Sequence, residues 1–399
     1  MAIAKTKGLE HMNIAFLAWE TLHTIPIGGV AQHITELAAA LQRRGHEVHV
    51  FARLGEGQST YAVIDGVHYH RCPIDLNPDF VTEMNSMCNA FVYYIGQTEA
   101  HMNRRFDIIH GHDWLCSKGI VQAKNDRGSR VVLTMHSTEF GRNGNHVPQG
   151  TAQRISAIES EGAFVADRVF TVSGALADEI KWLYSVPDWK IRVFPNGVQC
   201  HHYDGYIDPG PVRGRYGVGP MDPMVLFVGR LCTQKGPDLL MEAIPSVLKY
   251  WDNAKFVFAG DGHMRSQLEW RAGELGVQHA VRFLGAVWNG DLKSLFKATD
   301  IVCVPSRNEP FGIAVLEAWA AGKPALVTNA GGPREFVMHG EDGLIVAPDS
   351  SGIAWGICEF FRNFDHVRWA GSRGRVKAAY GFSWDHIAWR TEQAYQELC

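Results

Sequence analysis

The sequence predicts an α/β protein of two doubly wound domains that face a common cleft. Two observations carry that expectation. Short runs rich in β-branched and aromatic residues alternate along all 399 residues with longer segments of helical periodicity. A stretch rich in glycine and proline then divides the runs into two similar series.

The first series covers residues 13–18, 48–53, 108–112, 130–135, 168–172 and 191–195; the second covers 224–229, 255–259, 281–284, 301–305, 325–328 and 343–346. Most of these runs are continuously apolar and bounded by Gly, Pro or Asn, as in parallel strands covered on both faces. Between them, Val30, Ile34, Leu37, Ala38 and Leu41, and later Leu239, Leu240, Ala243, Ile244, Val247 and Leu248, recur at helical spacing. The seam lies in 198–223, where periodic apolar residues give out. The expected organisation is a first domain over 11–200, a linker over 201–223 and a second domain over 224–381, with a helix in 382–399 returning to the first domain.

Composition narrows the class. Hydrophobic residues make up 46% and aromatic residues 11%, enough for packed cores. The net charge of -4, without a long run of like charge, argues against a general nucleic-acid binder. Eight scattered cysteines with no C-x-x-C pair read as reduced thiols of a cytoplasmic protein. Residues 1–10 have no apolar core for a secretory signal, and the apolar stretch 14–19 is too short to span a bilayer.

The segment R-N-E-P-F-G-I-A-V-L-E, from Arg307 to Glu317, carries the most chemistry. Pro310 keeps Glu309 out of helical geometry, on a loop at the mouth of the next helix. That helix is apolar on every side, so Glu317 within it needs a polar partner. Free N–H groups at a helix start attract phosphate, and carboxylates on both sides suit hydroxyls flanking an anion, as in a nucleotide sugar. The loop after the first strand of the second series holds Gly229-Arg230 and Lys235-Gly236, a planar fork and a point charge that together suit a diphosphate. Gly28-Gly29 follow the first strand and open a helix, where backbone can approach phosphate, but no third glycine completes a dinucleotide fingerprint. Ala259-Gly260-Asp261-Gly262 reads as a turn or as part of a base-binding slot. His110-Gly111-His112-Asp113-Trp114 ends one strand and His136 the next. Alternate histidines on a strand can bind a metal, yet a metallohydrolase would carry them on the first strand of a barrel; burial and substrate contact are the competing readings.

Taken together, G-G-V at Gly28, H-G-H-D-W at His110, T-M-H at His136, P-N-G-V at Pro195, G-R-x-x-x-x-K-G at Gly229 and E-P-F-G-x-x-x-x-E at Glu309 resemble the retaining glycosyltransferases of family 4, from about residue 13 to the C-terminus. The resemblance implies the GT-B fold, two Rossmann-like domains facing an interdomain cleft. It also implies transfer of a hexosyl group, in particular glucosyl, from a UDP-, ADP- or GDP-linked sugar to a sugar, glucan or other hydroxyl acceptor, with no metal and no further cofactor. On that resemblance Arg230 and Lys235 hold the diphosphate, Glu309 contacts sugar hydroxyls and Glu317 binds the ribose. Phe311, Gly312 and Ile313 belong to the same donor loop, with Gly312 and Ile313 offering N–H groups. Gly28 and Gly29 let the first domain close on the phosphates, and His136 lies beside the reacting sugar. His112, Asp113, Trp114 and Glu139 are candidates for the acceptor side.

H-G-H-D-W is also similar to a motif of glycogen and starch synthases, which makes an α-glucan synthase the alternative. Those enzymes usually carry lysine before the paired glycines, where this chain has Pro26-Ile27. A nucleotide-sugar epimerase and a non-catalytic sugar-nucleotide binder are more distant alternatives.

Overall fold

The computed structural model describes residues 11–287 and 289–399. The segment 1–10, read above as lacking a secretory signal, lies outside the described residues. The first half runs β1 (Asn13–Ala18), α1 (Gly29–Arg43), β2 (Glu47–Arg53), β3 (Tyr61–Ile64), β4 (Val67–Cys72), α2 (Phe80–Met102), β5 (Ile108–His112), α3 (Ser117–Arg127), β6 (Val131–Met135), α4 (Glu139–Arg142), α5 (Thr151–Val165), β7 (Arg168–Thr171), α6 (Gly174–Tyr184) and β8 (Ile191–Val193). The second half runs α7 (Pro209–Arg215), β9 (Met224–Val228), α8 (Pro237–Leu248), β10 (Lys255–Ala259), α9 (Arg265–Glu274), β11 (Val281–Gly285), α10 (Asn289–Ala298), β12 (Ile301–Val304), α11 (Ile313–Ala320), β13 (Ala325–Thr328), β14 (Gly343–Val346), α12 (Ser350–Arg362), α13 (Phe364–Gly381) and α14 (Trp384–Gln396).

Two sheets result, ordered β3-β4-β2-β1-β5-β6-β7-β8 and β11-β10-β9-β12-β13-β14. Every strand pair is parallel except β3 with β4. Apolar side chains of β1 and β6 are buried on both faces, which is why their sequences are continuous rather than alternating. In each sheet the winding direction reverses beside the first strand, between β1 and β5 and between β9 and β12. At such a switch point adjacent loops leave in opposite directions and open a crevice at the carboxyl ends of the strands.

Two sequence expectations need correction. No strand was expected between residues 53 and 108, but β3 and β4 form a hairpin there, closed by Asp65-Gly66 with both residues at positive φ (51° and 79°). Asp-Gly supplies that turn geometry, and it was the signal to read. The segment 201–223 is also more than a linker. It carries α7, whose buried Arg213 donates to the carbonyls of Ala298 at 2.8 Å and Asp222 at 3.1 Å and pairs with Asp300 at 3.0 Å, fastening it to the second sheet. Glycine and proline there mark caps and turns, with Pro209 opening α7 behind an Asp208 cap.

The last helix returns to the first domain. Arg43 pairs with Asp385 at 2.6 Å, Arg44 with the buried Glu392 at 2.5 Å, and the Tyr395 hydroxyl meets His110 Nδ1 at 2.5 Å. Trp384 is 1% exposed and lies so close over Gly197 that a Cβ there would sit 2.7 Å from its ring. Among the described residues no helix is long and apolar enough to cross a membrane. The cysteines Cys72, Cys88, Cys116, Cys200, Cys232, Cys303 and Cys358 are free thiols. Trp384→Ala is expected to cost about 3–5 kcal/mol through the cavity it leaves, measured by urea denaturation.

Candidate active site

The loops after β9 and β12 meet at the switch point of the second sheet. Gly229 (φ 151°) leaves β9 and Arg230 stands exposed, its Nη2 3.3 Å from Gln234 Oε1. A single 3₁₀ turn then brings Lys235 back over the strand ends. The A-G-D-G segment braces this loop: Gly229 N donates to Ala259 O at 3.1 Å and Leu231 N to Asp261 O at 2.8 Å. A Cβ on Gly260 or Gly262 would collide with the carbonyls of Gly229 and Leu231, so glycine is needed for that approach.

Lys235 Nζ donates to both carboxylate oxygens of Glu309, at 2.8 and 2.9 Å, and Ser306 Oγ adds a third bond at 2.8 Å. Glu309 is 5% exposed, so the ammonium offsets the cost of burying its charge. Its backbone is held against the next loop, with Glu309 N donating to Ala330 O at 3.1 Å and Gly332 N to Glu309 O at 2.8 Å. Phe311 is buried and stacks on Phe336 at 5.0 Å, supporting the loop from within the core rather than facing the cleft. Gly312 turns the chain at φ 97°, and α11 begins at Ile313 with no side chain capping its N–H groups. Glu317, one turn on, is half-buried and accepts from the Tyr203 hydroxyl at 3.4 Å; burial pushes its carboxyl up to about 7.

The first domain brings the start of α1 to the same place. A Cβ on Gly29 would meet Ile313 Cδ1 at 2.8 Å, so the N-termini of α1 and α11 face each other across the cleft. Gly28 is held by Glu20, whose Oε2 accepts from Ile27 N at 2.8 Å and Gly28 N at 2.6 Å. At the end of β5, Asp113 adopts φ 60°, ψ 176°, a strained conformation for a residue with a side chain. Its Oδ1 accepts from His136 N at 2.7 Å. Burial raises the Asp113 carboxyl, while the charges of Arg142 and, from the second domain, Arg230 oppose the rise. His112 Nδ1 meets His136 Nε2 at 3.2 Å, and His33 Nδ1 meets Asn196 Oδ1 at 2.6 Å. Burial lowers His136 to about 3, so its imidazole is neutral at neutral pH. One ring nitrogen from each of His33, His112 and His136 lies within 4.8 Å of the other two.

Three further motif residues have these surroundings. His110 has both ring nitrogens bonded, to Tyr395 and Thr134, and is fully buried, so it is structural. Trp114, expected on the acceptor side, lies in the 3₁₀ turn after Asp113, is 6% exposed and packs edge-on against the exposed Phe80. Glu139 is tied to Arg142 at 3.0 Å and to Asn143 at 2.8 Å, beside the buried Arg142–Glu159 pair.

Comparison with known proteins fits this geometry. The family model described as Glycosyltransferase Family 4 matches residues 27–202, and that described as Glycosyl transferases group 1 matches 212–375. An uncharacterized glycosyltransferase of Methanocaldococcus jannaschii is 36% identical over 390 residues, covering 96% of this chain and 98% of that protein. This chain belongs to the family 4 glycosyltransferases. Glycogen synthase of Mycobacterium tuberculosis is 29% identical over 402 residues, covering 96% and 94%. Among solved structures, sucrose-phosphate synthase from Thermosynechococcus elongatus superposes with a TM-score of 0.82 at 21% identity over 97% of this chain and 99% of that one. Anabaena HepE in complex with UDP-glucose superposes at 0.77, 21% identity, over 97% and 100%. The transferase therefore has the GT-B fold.

Several residues of the transferase cleft escaped sequence reading. Glu20, Ser306 and Tyr203 each contact a candidate residue, but they are distant in sequence or carry no motif. Domain-closing contacts were equally silent: Glu335 accepts from Gly174 N and Ala175 N at 2.9 and 2.6 Å at the start of α6, Ser173 Oγ donates to Pro310 O at 2.6 Å, and Asn308 Nδ2 donates to Glu179 at 2.9 Å.

Glu317 sets a pH signature. Its folded pKa lies above the usual carboxylate value of 4.5. The unfolded chain therefore ionises first, and the carboxyl weakens the fold as pH rises from about 4.5 to about 7. Glu317→Gln is expected to gain about 1–3 kcal/mol of stability at pH 8 and almost nothing at pH 4, read from denaturant curves at both values.

Proposed function

We propose that this transferase moves a hexosyl group, in particular glucosyl, from a nucleotide-diphosphate sugar to a sugar, glucan or other hydroxyl acceptor, with retention at the anomeric carbon and without a metal. The observation that carries this reading is the convergence of two helix N-termini, from α1 and α11, on a cleft that also holds Arg230 and Lys235. Two helix N-termini and the Arg230 guanidinium, with the Lys235 ammonium that Glu309 shares, suit a diphosphate. A glucosyl donor is supported by the kinship with a glycogen synthase and by the likeness in fold to a protein crystallised with UDP-glucose.

Breaking the bond between sugar and diphosphate leaves positive charge on the anomeric carbon and negative charge on the leaving phosphate. In the proposed reaction Arg230, Lys235 and the N–H groups of Gly312 and Ile313 hold that phosphate. Their charge acts most strongly as the bond stretches, so they favour the transition state over the bound donor. Glu309 shares Lys235, and a sugar hydroxyl meets it in place of one of its present bonds. Glu317 accepts from the ribose. The neutral His136 presents a hydrogen bond to the reacting sugar without repelling the growing positive charge, and Asp113 fixes its backbone.

Both Glu309 oxygens are already bonded, by Lys235 and Ser306, which disfavours it as a covalent nucleophile. We favour attack by the acceptor on the face the phosphate leaves, with a leaving-phosphate oxygen taking the acceptor proton. His112 and Asp113 remain the acceptor-side candidates.

The primary test is incubation with UDP-, ADP- and GDP-sugars, with and without sugar and glucan acceptors, following nucleotide release and the product anomer by NMR. Turnover is expected with one base, to persist in chelator, and to retain configuration. Inversion would sink the mechanism, and hydrolysis or epimerisation without transfer would sink the reading. Arg230→Ala is expected to lower kcat/KM by about 10²–10³-fold with Arg230→Lys recovering part of it. Because a diphosphate diester does not titrate near neutrality, donor affinity is expected to rise from about pH 6 to about pH 8 as Glu317 ionises, and to lose that slope in Glu317→Gln, measured by calorimetry.

A further inference from the structure

The edge of the first sheet carries imidazoles that the transfer cleft does not use. Side chains of β2 and β4 alternate between the face packed by α1, with Val48, Val50, Val67 and Tyr69, and the face packed by α2, with Phe51. On the α2 face the register sets His49 beside His68 and Phe51 beside His70, while β3 places Tyr61 opposite His70. Glu47 begins β2 on that same face. These residues stand at the amino ends of β2 and β4, away from the carboxyl ends where the transfer loops gather.

Their geometry is that of a ligand set. One atom from each of Glu47, His49 and His68 lies within 4.8 Å of the other two. His49 Nε2 is 3.2 Å from Glu47 Oε1, and the rings of His49 and His68 stack with centres 4.5 Å apart. Outer partners orient both rings. His49 Nδ1 lies 2.9 Å from His70 Nε2, and His68 Nδ1 lies 2.6 Å from the Tyr61 hydroxyl. In the tautomers that donate from Nδ1 to those partners, each ring keeps its Nε2 lone pair for a cation, which is how partners behind metal-bound histidines work.

We propose that Glu47, His49 and His68 bind a divalent transition-metal cation of the Zn²⁺ class. Two imidazoles and a carboxylate match the nitrogen and oxygen preferences of such ions and leave a fourth position for water. Metal bonds of about 2.0–2.1 Å at tetrahedral angles need ligand atoms about 3.3 Å apart. Glu47 and His68 are both half-buried and can turn by that amount, whereas the buried His49 is the fixed point. Since the ligands come from β2 and β4, the ion would tie the edge hairpin to the sheet.

The site stands apart from the transfer reading and is tested without it. The full chain is stripped with a chelator, titrated with Zn²⁺ by calorimetry and analysed for metal after dialysis. About one equivalent is expected, with Glu47→Gln and His68→Ala each weakening affinity by about 10-fold or more, and Tyr61→Phe weakening it by a smaller factor. Co²⁺ is expected to give the visible bands of a four-coordinate ion in the wild type and not in His68→Ala. Unchanged thermal unfolding of the metal-free variants establishes that the fold is intact. If the wild type retains no Zn²⁺, or if both variants bind as it does, for instance through the buried His33, His112 and His136, the proposal is overturned.

Discussion

A buried carboxylate must be paired, and at the centre of the second domain that constraint joins two loops. Glu309 leaves water almost completely, so Lys235 and Ser306 have to reach it. The ammonium comes from the loop after β9 and the carboxylate from the loop after β12, which are separate in sequence and adjacent only because the winding reverses between those strands. Satisfying this pair fixes the height of both loops over the strand ends. The glycines follow from it: Gly236 and Gly331 approach backbone too closely for a side chain, and Gly312 turns at positive φ to start α11 against the cleft.

Around this pair the electrostatics divide into two kinds. Fixed positive potential comes from the starts of α1 and α11 and from Arg230, all facing the cleft. Behind it burial works against charge, holding His33, His112 and His136 unprotonated and raising the carboxyls of Asp113 and Glu317. An anionic donor thus meets positive potential at the surface and neutral imidazoles beneath. Asp113 marks the boundary, its strained backbone held by the hydrogen bond to His136 N and its charge felt by Arg230 from the other domain.

The two domains are held by few but directed contacts. Glu335 occupies the N-terminus of α6 as an anion would, and Asn308 and Ser173 tie the donor loop to the first domain. Trp384 and Tyr395 of α14 give the first domain part of its core from the far end of the chain. The cleft geometry therefore depends on residues that never touch it.

How much of this was legible in the sequence follows from what each signal depends on. Continuous apolar runs between glycines are local, and the core strands of both sheets were readable from them. So were the carboxylate before Pro310 and the cations after β9, because residue type and the end of a strand already imply a loop at the ligand crevice. The hairpin of β3 and β4 was missed although Asp65-Gly66 announced it, since β3 is only four residues long and β4 interrupts its apolar residues with His68, His70 and Arg71. The packing of Trp114 on Phe80 was not legible, because a single 3₁₀ turn decides which way a side chain points. The pairing of Lys235 with Glu309, the partnership of Tyr203 with Glu317, the hold of Glu20 on the glycine loop and the meeting of Gly29 with Ile313 all join residues far apart in the chain. Composition and spacing determined which elements form and which chemistry they carry. Only tertiary structure decided which charges neutralise one another and which stay open to a ligand, because burial and separation, the quantities that set an electrostatic interaction, exist only once the chain has packed.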